Sequence, residues 1–379
     1  MKKNNQYDCI VVGGGFAGIS AALSSARNGL KTLLIEKEYE LGGLATLGLI
    51  NWYEPICNQN GKQLLGGIAE ELLKRSNEYC GTLDKAWLEK TPTKKPYAGF
   101  FNHSVFAVNM TDLLVKEGVE ITFDSLLTAV NVKEGKIESV VYETVEGAKE
   151  VSAKYFIDAT GTARLCSLCD LPVEDGKNVL SFYTHVAKEN DKGEYQARFD
   201  VFGAFLNGKH QPEHVPLLCG AYADDVNKYV IESHKVFAKE ILGNKERANK
   251  IVEVPHMPQF RMIRHIVGED TIKGEDSNIV KENSLGEFGH FAHAETYFSL
   301  TFGSMYNKKI GNLLAVGRII SARGEGWNAS RVIPIAALTG EVASEAIALM
   351  IKDGLLNYEL NIEKLKKVLE EKKIFVKNN

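Results

Sequence analysis

The residues with the clearest chemical use are three glycines and an acid near the start of the chain. Gly13-x-Gly15-x-x-Gly18 follows the apolar, β-forming run 9–12 directly, an Ala-rich stretch leads to Asn28-Gly29, and a second apolar run, 32–35, ends at Glu36. Each glycine has a mechanical job. Gly13 suits a tight turn, Gly15 lets backbone approach a pyrophosphate, and Gly18 lets a helix pack closely on a strand. A pyrophosphate there would meet the unpaired N–H groups and positive dipole of the following helix. Glu36 would accept hydrogen bonds from the adenosine ribose hydroxyls, and its charge would repel a 2′-phosphate. Strand, glycines, helix, strand and acid stand in the required order, so the chain is expected to bind an adenine dinucleotide.

Other residues could act on a substrate. Arg261, Arg264 and His265 lie together in QFRMIRHIVGED. Two arginines offer forked donors for a carboxylate, and the adjacent imidazole is a candidate acid or base. The same side chains could instead form a surface network with Glu269 and Asp270. Cys166-x-x-Cys169 could be a redox pair or half a metal site, but no second CxxC occurs. Spacing of three on a helix puts both thiols on one packed face, so buried structural cysteines are expected. His290 and His293 with Glu295, in GHFAHAE, read as solvated side chains rather than metal ligands, and no metal is expected.

These residues need elements to hold them. A glycine pair, Gly42-Gly43, follows the acid. Residues 63–76 read as a helix, 81–103 as an irregular loop with a Lys/Pro cluster, 105–116 as a helix closing at Gly118, and 119–123 as a strand. Residues 126–132 and 136–144 alternate as a hairpin around Glu134-Gly135. A buried strand over 155–158 ends in Ala159-Thr160-Gly161. Residues 173–310 change character, with charged loops, aromatic-rich strands at 181–186 and 296–302, and helices near 224–242 and 245–253. Residues 312–316 resume an apolar strand that ends in Gly317-Arg318. The helix over 334–351 has Pro334 in its first turn and Gly354 past its end, and the amphipathic tail at 361–373 reads as a solvated helix packed on the body. The pattern is α/β.

Bulk properties narrow the class. At 379 residues the chain suits two domains better than one core. A hydrophobic share of 44% and a charged share of 25% are those of a soluble globular protein. The net charge of −4 argues against nucleic acid or an anionic membrane as partner. No apolar run approaches the ~18 residues of a membrane span, and residues 1–5 lead into the first strand without a signal-type apolar region. Six scattered cysteines fit reduced thiols. A cytoplasmic protein acting on a small molecule is expected.

The pieces VVGGGFAGISAALSSARNGLKTLLIEK, LGGLATLGLI, YFIDATGTARLC, RHIVGED and NLLAVGRIISARGEGWNASRVIPIAALTGEVASEAIAL together resemble the single-fingerprint FAD-dependent oxidoreductases of the glutathione-reductase-like fold. The resemblance implies a Rossmann FAD-binding domain in two parts, 1–172 and 311–379, around an inserted α+β substrate domain at 173–310. It implies FAD as cofactor, with Gly13, Gly15, Ala17 and Gly18 at the pyrophosphate and Glu36 and Lys37 at the adenosine ribose. Gly42, Gly43, Ala45 and Thr46 would pass the diphosphate and flavin, and Leu127 would lie beside the adenine. Ala159 and Gly161 would bring backbone to the cofactor, Gly317 and Arg318 would approach the ribityl–diphosphate segment, and Arg331, Val332 and Ile333 would meet the flavin's pyrimidine edge. Trp327 and Tyr53 are either ring-lining or plain core residues. His103 is the histidine left for a covalent flavin tether. No second G-x-G-x-x-G occurs, so an electron donor or acceptor must come from solution or from a partner. An oxidoreductase is the leading expectation. A non-redox flavoprotein and a flavin subunit of an electron-transfer complex are the alternatives.

Overall fold

The computed structural model describes residues 6–58, 62–78, 98–189, 193 and 195–376. Its organisation begins with the alternation of side chains in β1 (Gln6–Val12), where Cys9 and Val11 join one apolar cluster and Ile10 and Val12 join another. A strand with period-two side chains does this when both of its faces are covered. α1 (Phe16–Arg27) crosses to β2 (Thr32–Ile35), buried throughout and parallel to β1. β3 (Trp52–Tyr53) pairs with β4 (Gly99–Phe100), with α2 (Gly67–Asn77) between them in the chain and α3 (His103–Lys116) after them. β5 (Glu120–Thr122) extends the main sheet beyond β2. β6 (Leu126–Lys133), β7 (Lys136–Thr144) and β8 (Gly147–Asp158) form an antiparallel meander. The first residues of β8 pair with β7, while its later ones run parallel to β1. One strand thereby joins the meander to the parallel sheet.

After α4 (Arg164–Leu168) come β9 (Val173–Asp175), β10 (Ser181–Glu189) and β11 (Tyr195–Gly203), then α5 (Ala223–Ile241), α6 (Lys245–Asn249), β12 (Ile251–Glu253) and β13 (Arg264–Ile266). β11, β10 and β12 form one small sheet, and β13 pairs with β9. β14 (Ser284–Gly289) and β15 (Tyr297–Thr301) form a hairpin, and β16 (Leu313–Ala315) returns parallel to β8. α7 (Gly324–Ser330), α8 (Ile333–Asp353) and α9 (Ile362–Glu371) close the chain. The fold is α/β and Rossmann-like.

Packing divides the 173–310 segment. Leu180, Leu218, Tyr229 and Phe260 form their own small core, whereas Leu285, Phe288, Phe298 and Leu300 belong to the core of α1 and α8. Three elements depart from the sequence reading. The helix expected over 245–253 stops at Asn249, because β-branched Ile251 and Val252 enter a ladder with β10. The helix expected from residue 63 begins at Gly67, since Gln63 and Leu65 make β-bridges to Cys57 and Phe375. Of the loop expected over 81–103, residues 81–97 lie outside the described residues, and 99–100 are the strand β4.

α1 and α8 pack through small residues. A Cβ at Gly340 would stand 2.2 Å from the Ala17 carbonyl oxygen. Ser20 donates to the Ala337 carbonyl at 2.6 Å, and Ser344 donates to that of Ala21 at 2.6 Å. α8 is long and apolar enough to cross a membrane, but 89% of its apolar window is buried inside the protein. Gly340→Ala is expected to cost about 1–3 kcal/mol, as overpacking against rigid backbone does. Chemical denaturation measures this, and an unchanged midpoint would mean that the helices separate without penalty.

Candidate functional site

The parallel strands β1, β2, β8 and β16 all end at one cleft, where open α/β sheets bind ligands. It comprises about 1030 Å³ of space that opens to solvent, and its floor includes Val12, Ile35, Ala159 and Val316. The three glycines separate cleanly. Gly13 has φ +104°, and a Cβ there would press on the Ala159 carbonyl oxygen at 2.5 Å. A Cβ at Gly18 would stand 1.8 Å from the Gly13 carbonyl oxygen. Gly15 has an ordinary φ of −69°, yet a Cβ there meets nothing within 4 Å. Gly13 and Gly18 serve the fold, and Gly15 keeps the cleft clear for a group that must approach the backbone.

Glu36 is 6% exposed and lines the cleft. Its carboxylate accepts hydrogen bonds from the backbone N–H groups of Gly14 and of Glu38, the latter at 2.9 Å. Burial raises its pKa, and those two N–H bonds oppose the rise. A carboxylate has about four acceptor positions, so Glu36 can pin this loop and still accept from a ribose. Gly42 (φ +108°) donates to the Gly14 carbonyl at 2.8 Å and sets the glycine pair beside the fingerprint. Ala17, Lys37, Gly43, Ala45, Leu127, Gly161, Gly317, Arg318, Arg331 and Ile333 also reach the cleft.

Gly18, Thr46 and Val332 do not reach it. Thr46 stands behind Gly42 and donates to the Leu41 carbonyl at 2.8 Å, while Val332 caps α8. The N-termini of α1 and α8 both open on the cleft, through Phe16 and Ala17 and through Ile333 and Ala336. Two positive helix ends and an unobstructed Gly15 fit a dinucleotide pyrophosphate. Sequence reasoning missed Arg164, whose Nε donates to the Leu127 carbonyl at 2.6 Å, and Met257 from the distant segment. A basic residue in the first turn after Gly161 was a usable signal for Arg164. Met257 had none.

None of the three substrate candidates lines the cleft. Arg264 donates from Nε to Asp175 at 2.6 Å, across the β13–β9 pair, and its guanidinium lies over the Tyr222 ring. His265 is 2% exposed, packs edge-on against Trp327 and stands 3.5 Å from Glu174, which Arg323 also holds. The acids that engage them are Asp175 and Glu174, brought in by strand pairing, rather than Glu269 and Asp270. Arg261 is tied to the cleft through Arg318 and Arg331, which do line it. It lies over Tyr183, donates to the Gln259 carbonyl at 2.8 Å, and interacts with Glu54, Arg318 and Arg331. Burial and the neighbouring guanidinium charges push Arg318 and Arg331 down to about 10. Burial pushes the Glu54 carboxyl up to about 7 against the pull of Arg331 and Arg261. Arg261, Arg318 and Arg331 thus crowd one another beside the cleft, with Glu54 next to Arg261 and Arg331, and local sequence gave no sign of Glu54.

The remaining candidates are structural. Cys166 and Cys169 are buried, and burial raises both thiols, that of Cys169 to about 12, far from a reactive thiolate. Tyr53 is fully buried and donates to the Ala69 carbonyl, and Trp327 donates to that of Arg318. Neither ring reaches the cleft. His103 does not line it either, and meets Glu253 at 2.8 Å. His290, expected to be solvated, is instead 1% exposed and pairs with Glu325.

The sequence profile described as "FAD dependent oxidoreductase" matches residues 8–188 and 278–369. Its gap covers most of the segment with the separate small core. A pseudooxynicotine dehydrogenase from Pseudomonas sp is 51% identical over 43 residues, 11% of this chain and 9% of that protein. The tRNA uridine 5-carboxymethylaminomethyl modification enzyme of Streptococcus pyogenes serotype M18 (strain MGAS8232) is 26% identical over 41% of this chain and 24% of its own length. The matched segments therefore span under a quarter of these relatives. The crystal structure of p-nitrophenol 4-monooxygenase from Pseudomonas putida DLL-E4 superposes with a TM-score of 0.50 at 12% identity, covering 97% of this chain and 85% of that one. That likeness is one of fold.

The glycines give a sharp pair of outcomes. Gly15→Val is expected to leave the apoprotein's stability near wild type and abolish FAD retention, whereas Gly18→Ala lowers stability itself. Glu36→Ala is expected to weaken FAD by about 1.5–3 kcal/mol. Fluorescence titration with FAD and a urea midpoint for each variant check this, and a Gly15→Val protein that keeps its FAD would refute the placement.

Proposed function

The chain belongs to the FAD dependent oxidoreductase family, and on that premise we propose that it oxidises or reduces a small carboxylate-bearing substrate held by Arg261 and Arg331 beside bound FAD. The cofactor is FAD, which supplies the two-electron chemistry, and the protein supplies position and electrostatics. Gly15, Glu36 and the α1 N-terminus would hold its pyrophosphate and ribose, and Gly317, Arg318 and the α8 N-terminus its flavin side.

The observation that carries the substrate reading is the charge imbalance at the cleft's edge. Arg261, Arg318 and Arg331 are pushed below their ordinary pKa by burial, and Arg318 and Arg331 are also pushed down by their cationic neighbours, with Glu54 coupled to Arg261 and Arg331 and Glu325 to Arg331. Buried like charges are costly unless paired, and an incoming carboxylate relieves that cost through forked hydrogen bonds. Tyr183 orients Arg261 by stacking, and Phe291 does the same for Arg331. Glu54, poised near neutrality, would take up or return the proton that accompanies the electron pair. Arg264 and His265 support this arrangement from the neighbouring Asp175 and Glu174 network. The electron partner would reach the cleft from solution.

Arg261→Met is expected to lower kcat/KM by ~10²-fold with a normal flavin spectrum, the worth of a charge-assisted pair. Arg264→Ala, which breaks a partly exposed ion pair, should change it by less than about fivefold. Steady-state kinetics on a panel of carboxylates and their amides reads both, and the reverse ranking would return the substrate site to Arg264. In the direction of substrate oxidation, kcat/KM should rise through about pH 7 as Glu54 ionises. Glu54→Gln should flatten that limb, and a variant that keeps the limb would remove Glu54 from the reaction.

A further inference from the structure

We propose that His103, His185 and Glu253 bind one divalent transition-metal ion of the zinc type, which clasps the β10–β12 sheet to the start of α3. Their ligand atoms all lie within 4.8 Å of one another. His103 Nε2 stands 2.8 Å from Glu253 Oε2, and His185 Nδ1 stands 3.8 Å from the same oxygen. Tetrahedral ligation at ~2.0–2.2 Å puts neighbouring ligand atoms roughly 3.3 Å apart, and these two distances bracket that spacing. The fold fixes the group from separate directions. His185 and Glu253 are cross-strand partners in the β10–β12 ladder, and His103 is the first residue of α3, after Asn102, whose side chain caps the helix.

The surrounding hydrogen bonds set the His185 tautomer for a cation. Asn51 donates its amide N–H to the Phe101 carbonyl, so its Oδ1 faces His185 Nε2 at 2.9 Å. That oxygen can only accept, which places the His185 proton on Nε2 and leaves a lone pair on Nδ1, toward Glu253. Two acceptors facing each other across 3.8 Å leave a place that a cation between them would fill. His103 Nδ1 stands 3.3 Å from Ser104 Oγ, which leaves its Nε2 on the Glu253 side. An oxygen behind each imidazole is the outer arrangement that orients metal-bound histidines. His185 is 2% exposed, with the Phe100 and Phe199 rings each 5.6 Å from its own. Two imidazoles and a carboxylate suit zinc rather than magnesium or calcium, and three protein ligands leave a fourth position open.

A second cluster, His290, His293 and Glu325, has comparable spacing but opposite chemistry. His290 Nδ1 accepts the backbone N–H groups of Ala292 and His293. Its Nε2 must then carry the proton it directs to Glu325, and a protonated nitrogen is no ligand.

The test uses the FAD-loaded protein, stripped with a chelator and titrated with Zn²⁺ by calorimetry and with Co²⁺ by visible absorption. One Zn²⁺ per chain and a low-symmetry Co²⁺ spectrum are expected. Asn51→Ala should weaken Zn²⁺ by ~10–100-fold. His103→Ala and Glu253→Gln should each weaken it further, and His293→Ala should leave it unchanged, with circular dichroism and the flavin spectrum reporting intact fold. Should His103→Ala fail to fold, the partly exposed Glu253→Gln decides alone. Absence of stoichiometric binding by the folded wild type, survival of binding in Glu253→Gln, or its loss in His293→Ala would each overturn the proposal.

Discussion

The rest of the molecule depends on how closely α1 lies against its neighbours. Gly18 lets it sit on the turn that ends β1, where any side chain would stand 1.8 Å from a carbonyl oxygen, and Gly340 lets α8 cross it at similar range. Helices held by backbone contact and by serine hydroxyls cannot slide, and interiors packed this tightly transmit position rather than absorb it. The consequence is directional. Both N-termini are delivered to the line where β1, β2, β8 and β16 end, and the cleft acquires two positive ends facing each other across a floor of strand termini.

A chain of net charge −4 thus builds a locally cationic site, and the local field, not the net charge, decides what binds there. Along the adenosine side of a bound FAD the work would fall to backbone N–H groups and the Glu36 carboxylate. At the other end it would fall to guanidinium groups held at a disadvantage by burial and by one another. Glu54 shares that environment, and its raised pKa has the same physical origin as the lowered ones of Arg318 and Arg331.

What the sequence disclosed follows from how local each signal is. Gly13, Gly15, Gly18 and Glu36 do their work within one strand–helix–strand unit, so their spacing was readable. The strand ends at Ala159-Thr160-Gly161 and Gly317-Arg318 were visible as apolar runs stopped by glycine. The Arg261–Arg331–Glu54 grouping joins residues from three distant parts of the chain, and only the two arginines drew notice, for other reasons. Arg264 looked identical to Arg261 in sequence. Its partner, Asp175, is set by the pairing of β13 with β9, which no local pattern encodes. The strand at 251–253 was hidden in the same way, because its ladder partner lies more than sixty residues earlier.

The central claim, that the cleft holds FAD with an anion-selecting arginine group at its edge, is tested most directly by difference spectroscopy of the FAD-loaded protein. Small carboxylates and their isosteric amides would be titrated against the visible flavin bands. The account predicts a saturable band shift with carboxylates, weakened by added salt, and little or none with amides. Equal responses to the two series, or no saturable response to any carboxylate, would contradict it.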